Sequence, residues 1–141
     1  MSPAENDQQA VVSLVHRIFD SYLQFDPELL EQCDAPECTI WDLFEPDLVR
    51  GGRAARAEFR KKDMSESQQR GALRIDIEEP VVDVWGDVAV ARYYLDYEFA
   101  APGALRGRVR ITTVARRIDG EWRRIHHHEG ALPTGRPPLK D

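Results

Sequence analysis

Residues 118–130 read Ile-Asp-Gly-Glu-Trp-Arg-Arg-Ile-His-His-His-Glu-Gly, and the fold follows from how this stretch is read. Asp119-Gly120 is a two-residue hairpin signal, because both central positions of a type I′ turn need positive φ. Residues 108–118 before it are rich in Val, Ile and Thr, the composition of a strand. Residues 122–129 after it are then the return strand. Side chains alternate faces along a strand. Regular alternation puts Trp122, Arg124, His126 and His128 on one side, and Arg123, Ile125, His127 and Glu129 on the other. Three consecutive histidines divide two against one. With the first face turned inward, a cavity there would hold two imidazoles beside an indole.

Working outward from the hairpin, residues 88–99 form another strand, joined through Gly86-Asp87 to a strand at 81–85, with Pro80 a bend. Leu73, Ile75 and Ile77 alternate with Arg74, Asp76 and Glu78, a half-buried pattern. Residues 101–103 read as a loop. The N-terminal half is different in kind. Ser2-Pro3-Ala4-Glu5 is a capping box with Pro in the first turn. Val11, Val12, Val15, Ile18, Phe19, Tyr22 and Leu23 then recur at three- and four-residue steps, an amphipathic helix of roughly five turns. Asp26-Pro27 caps a short helix carrying Leu29 and Leu30, and Asp34-Ala35-Pro36 stops it. Residues 38–44 are expected as a short strand, 53–64 as a third helix with Ala57 and Phe59 inward, and 65–71 as a polar connector. Helices first and strands afterwards is an α+β layout. The expected fold is a cone-shaped, curved antiparallel sheet wrapped around the N-terminal helices, a single domain over 1–133 with a disordered tail at 134–141. A cone open at one end is a natural small-ligand site.

Composition excludes several classes. At 141 residues with 42% hydrophobic content the chain can build one real core. A formal charge of −6 with no basic tail argues against a nucleic-acid partner. No apolar run approaches a membrane span, and no charged segment leads an apolar one at the N-terminus. Cys33 and Cys38 have no metal-type spacing with histidine, so two free thiols in a reducing cytoplasm are expected.

This order of elements resembles the nuclear transport factor 2-like superfamily, the cone-shaped (cystatin-like) fold of SnoaL-like proteins and ketosteroid isomerases, over about residues 8 to 133. Within it, residues 116–132 (RRIDGEWRRIHHHEGAL) are similar to the end of the association, or hub, domain of calcium/calmodulin-dependent protein kinase II, which carries a like Asp-Gly-x-Trp followed by His-x-His. Phe44-Glu45-Pro46, Leu48-Val49 with Gly51, and residues 80–87 resemble it too. The ketosteroid isomerases carry an Asp general base on the first short strand, and Asp42, with Asp26 behind it, falls into that register. Their oxyanion tyrosine would fall at Ile18 and their protonated aspartate near Thr112 or Val114. None of these can serve as an acid donor, which argues against steroid isomerisation by that mechanism. The resemblance also implies a homodimer formed through the outer sheet face.

Asp42, between Trp41 and Leu43, is the candidate proton-transfer group: apolar neighbours raise a carboxyl toward the useful range. The competing reading is a partly solvated Asp paired with an arginine. His126 and His128 are the accompanying catalytic candidates, as an acid/base pair or as donors to an anionic ligand, against a plain wall-supporting role. His127, on the opposite face, is expected at the surface or an interface. The ligand-lining candidates are Trp41, Phe44, Phe59, Tyr93, Tyr97, Arg110 and Trp122. A metal held by His126, His128 and Asp42 is conceivable on ligand type alone, but neither a metal nor a cofactor is expected. Two functions remain: a small-molecule-binding protein that isomerises, cyclises or dehydrates a carbonyl compound, or a non-catalytic association or ligand-sensing module.

Overall fold

The computed structural model describes residues 2–102 and 104–140. Helix α1 (Pro3–Leu23) starts as its sequence dictates, with Ser2 Oγ accepting from the Glu5 amide at 3.2 Å. Its inward stripe, Val11, Leu14, Val15, Ile18 and Phe19, is buried. Asp26 caps α2 (Pro27–Glu31) by accepting from the Glu28 and Leu29 amides. There follow β1 (Asp34–Trp41), α3 (Arg53–Arg70), β2 (Gly71–Ile77), β3 (Val81–Trp85), β4 (Val88–Pro102), β5 (Arg106–Ile118) and β6 (Glu121–Ala131).

The strands form one sheet in the order β1-β6-β5-β4-β2, with β3 also paired to β4. The pairs among β2 to β6 are antiparallel, while β1 joins β6 in parallel. The long β4 pairs its first half with β3 and its second with β2. Ala89, Ala91, Tyr93, Leu95, Val109, Ile111, Ala115 and Trp122 form the concave face that packs with α1 into a single core. This is the expected α+β layout of a curved sheet around N-terminal helices. Among the described residues, no helix is long and apolar enough to cross a membrane. Beyond Ala131, residues up to Lys140 carry neither helix nor strand and are exposed.

Four local expectations need correction. Helix α3 runs to Arg70 rather than ending at Met64, because no breaker precedes Gly71 and Met64 and Ser67 continue its buried face. The polar run 65–70 is the solvated side of that helix. Gly71 then turns the chain at φ +120, and a Cβ there would meet the Ala100 carbonyl oxygen at 2.5 Å. Strand β1 begins at Asp34, where a stop was expected, and ends at Trp41 opposite His128. In the loop expected at 101–103, β4 reaches Pro102 and Gly103 lies outside the described residues.

The fourth correction governs the site. The hairpin forms as expected, with φ 50 at Asp119 and 81 at Gly120. Along β6, however, Ala115 faces Arg124 while Val114 faces His126, so Ile125 is an unpaired extra residue, a β-bulge. Past it the alternation reverses. Trp122 and Arg124 are buried, and so is His127, at 2% exposed, whereas His126 is half-buried and His128 exposed on the convex side. A single inserted residue exchanges the two faces of all that follows.

Candidate functional site

Between the C-terminal turns of α1, the length of α3 and the concave sheet lies a cavity of about 110 Å³. Phe19 and Tyr22 enter from α1, Asp63 and Arg70 from α3, and Asp42, Leu43 and Phe44 from the segment after β1. The sheet supplies an apolar wall that includes Ile75, Leu95, Tyr97, Phe99, Val109 and Ile111, together with Glu129. A deeper chamber of about 50 Å³ continues from it and shares Phe19, Tyr22, Asp42, Asp63 and Glu129. Carboxyls therefore stand at the junction of two chambers, against the apolar wall of the sheet on the outer side.

That position sets their proton affinities. Burial, reinforced by the neighbouring Glu129 carboxyl, pushes Asp42 up to about 7, against the pull of the Phe44 amide that donates to its Oδ2 at 2.9 Å. Burial likewise pushes Asp63 up to about 6, with Asp42 and Glu129 adding to it and the Tyr22 hydroxyl opposing it. Glu129 is raised by burial, with Asp42 and the Leu43 amide drawing it back. Burial raises the Tyr22 phenol well beyond its ordinary value. Glu129 Oε1 accepts from the Leu43 amide at 3.2 Å and Oε2 lies 3.2 Å from His127 Nε2. His127 Nδ1 is 3.1 Å from Thr113 Oγ1, which is 2.8 Å from the Tyr93 hydroxyl. Burial first, and then the charge of Arg124, hold His127 well below the usual imidazole range, so it is neutral.

A salt-bridge network lies against the deep chamber. Arg124 grips Asp34 through Nε at 2.6 Å and Nη2 at 3.1 Å, and Arg60 also pairs with Asp34. Arg56 and Arg60 each reach Glu31 at 2.5 Å. Burial works against the Asp34 charge, but Arg124 and Arg60 overcome it and hold the carboxyl below its ordinary value. This cluster ties β1, β6 and α3 together and fixes where Asp42 and Glu129 emerge.

The sequence-predicted residues fare unequally. Asp42, Phe44 and Tyr97 line the outer cavity, with Phe44 a 60% exposed rim residue whose ring faces the Arg70 guanidinium at 5.6 Å. Phe59 lines the deep chamber. Tyr93 is sealed behind the wall against Thr113. Trp122 packs in the core, with the Arg117 guanidinium 4.9 Å from its ring centre, and borders a surface groove beside α1 instead of the cavity. Arg110 lies on the convex face, in an exposed strand position beside Tyr94. Trp41 is 38% exposed there and packs against His128, and His126 Nδ1 bonds Thr39 Oγ1 at 2.8 Å. The two imidazoles expected inside are outside because of the bulge, and His127 with Glu129 takes their place. Asp63 was findable, since it follows Phe59 by four residues on the same helix face. Nothing in the residue pattern marks Ile125 as a bulge. Among the described residues, no three His, Cys, Asp or Glu side chains are arranged to hold a metal ion.

Comparison with known proteins follows the same lines. The family model of the SnoaL-like domain matches residues 11–133. The chain is similar to the solved structure of an NTF2-like protein of unknown function from Pseudomonas putida KT2440, with a TM-score of 0.81, 19% identity, and 94% of this chain and 98% of that one covered. It is similar to a proposed ketosteroid isomerase from Shewanella frigidimarina at TM-score 0.73 and 20% identity, covering 85% and 94%. It is also similar to a proposed calcium/calmodulin-dependent protein kinase II association domain from Xanthomonas campestris at TM-score 0.68 and 19% identity, covering 86% and 87%. No curated protein matches the chain. At such identities the structural likeness establishes the fold alone.

Proposed function

The chain belongs to the SnoaL-like domain family, and on that premise we propose that it binds a small organic molecule in the cavity and that Asp42 exchanges a proton with it. The observation that carries this reading is the place of Asp42, at the junction of two chambers, half-buried, with a carboxyl pushed up to about 7. A carboxyl that titrates near neutrality can both give and take a proton there. The reaction class that suits it is proton abstraction next to a carbonyl: isomerisation, cyclisation or dehydration. No cofactor is needed for that step. The apolar wall would hold the ligand body, with Tyr97, Phe44 and Phe59 in contact with it. A cavity of about 110 Å³ favours a compact molecule over a drug-sized one, for which pockets run from roughly 300 Å³ upward. Buried free thiols at Cys33 and Cys38 support a cytoplasmic setting.

A thermal-shift screen of small carbonyl and carboxylate compounds tests binding, since a ligand that prefers the folded state raises the unfolding temperature. For any compound that is turned over, Asp42→Asn is expected to lower kcat by about 100-fold or more. Unchanged turnover in that variant overturns the catalytic role.

A second reading, an association module, draws on the convex face, where Trp41, Val81, Trp85, Val88 and Tyr94 are exposed. An aromatic and apolar strip of this kind suits a homodimer formed through the sheet. The two readings are compatible, because they use opposite faces of one sheet.

A further inference from the structure

Glu129 has no part in the proton exchange just described, yet it is held by two protein groups where it lines the cavity. Strand β1 runs parallel to β6 with Trp41 opposite His128, so the next residues, Asp42 just past the end of β1 and Glu129 within β6, emerge side by side, and both line both chambers. Behind Glu129 stands the buried row His127, Thr113 and Tyr93, exposed by 2%, 0% and 6%. A neutral imidazole has one donor and one acceptor nitrogen. An ionised Glu129 can only accept, and in that state Nε2 of His127 carries the hydrogen and donates to it. Nδ1 must then accept from the Thr113 hydroxyl, whose oxygen accepts from Tyr93. With Glu129 ionised the row runs one way, from the Tyr93 hydroxyl through Thr113 and His127 to Glu129. With the Leu43 amide, Glu129 receives two donors from the protein, whereas Asp42 receives one, from Phe44. Donors to a carboxylate favour its ionised form.

We propose that Glu129 is the positioning residue for Asp42: held ionised by His127 and the Leu43 amide, it accepts the Asp42 proton in a shared hydrogen bond and so presents Asp42 to the cavity with its proton in place. The inference rests on the reading of Asp42 as the proton-exchanging group and gives that group its resting state. Asp42 would first hand its proton to a ligand oxygen or carbon, keeping the O–H electron pair. It would then recover a proton from another position of the ligand, because its anion beside the Glu129 charge is unfavourable. The proton count of the protein is unchanged over the cycle. Other charged or titratable groups face the pair: Asp63 and Arg70 from α3, Tyr22 from α1, Glu45 from the loop, and Arg124 from β6, while His128 acts on it from the opposite face of the sheet. They set the level at which the pair titrates, and none of them bridges it.

The test needs no substrate. Carboxyl-carbon NMR of the uniformly ¹³C-labelled protein between pH 3 and 9 is expected to show Asp42 and Glu129 titrating in two linked steps, each resonance sensing both. Glu129→Gln is expected to bring the Asp42 midpoint down by one pH unit or more, a tenfold or larger loss of proton affinity, and Glu129→Asp to restore most of it. Thr113→Val, which breaks the row away from the cavity, is expected to move the same midpoint by a smaller amount in the same direction. Independent single-step titrations in the unaltered protein would overturn the proposal, and so would an Asp42 midpoint indifferent to Glu129→Gln. Should Glu129→Gln fail to fold, the titration of the unaltered protein still decides. A shifted midpoint combined with full turnover in Asp42→Asn would keep the positioning and discard the catalytic reading. Loss of turnover in Asp42→Asn with an unshifted midpoint would do the reverse.

Discussion

Asp42 and Asp63 are carboxyls raised from an ordinary 3.8 to about 7 and about 6, first by burial. A raised carboxyl stabilises the fold fully below its unfolded value, and that contribution is lost as pH rises through the folded value. The window for these two is therefore about pH 4 to 7. Asp34 has the opposite sign: Arg124 and Arg60, prevailing over burial, hold it below 3.8, so its contribution is present above that value and lost at lower pH. The unfolding temperature is accordingly expected to peak in mild acid and to fall between pH 5 and 8. Asp42→Asn should flatten that fall and be the more stable protein at pH 8 by about 2 kcal/mol, roughly half of what a shift of such size carries before solvent screening. Differential scanning calorimetry across that range checks it. A melting temperature that climbs from pH 5 to 8, in both proteins alike, would contradict the burial argument.

At the scale of elements, Asp34 is where β1, β6 and α3 meet, paired to Arg124 and Arg60 with its side chain fully buried. Replacing it by Asn keeps the shape and leaves two buried guanidiniums short of charge. Breaking a buried pair from one side costs about 3–5 kcal/mol, which urea denaturation would register as a lower midpoint. A cost below 1 kcal/mol would mean that the cluster does not hold these elements. Gly71→Ala is expected to cost about 2 kcal/mol or more, since φ there is +120 and the new methyl would strike the Ala100 carbonyl oxygen. Both devices are hard to see in the residue order. Asp34 precedes Ala-Pro and looks like a stop because its partner lies 90 residues away. Helix α1, by contrast, was legible to its cap, because capping and apolar spacing are local.

For the molecule as a whole, the concave side of the sheet is committed to α1 and the cavity, which leaves the convex strip with Trp41, Trp85 and Tyr94 uncovered. If two copies meet there, sedimentation should give twice the 16.1 kDa chain mass, and Tyr94→Glu should return it to the single chain. A monomer at micromolar concentration would remove the association reading. A closed ring larger than a dimer would support the association reading.

What the sequence by itself determined was the order of elements, the hairpin at Asp119-Gly120 and the α+β layout. Each depends on residues a few positions apart, through periodicity, capping or positive φ. Only the tertiary structure decided which histidine faces the cavity. The bulge at Ile125 arises from how β5 and β6 must pair while curving around α1, and one unpaired residue there turned His126 and His128 outward and brought His127 and Glu129 beside Asp42.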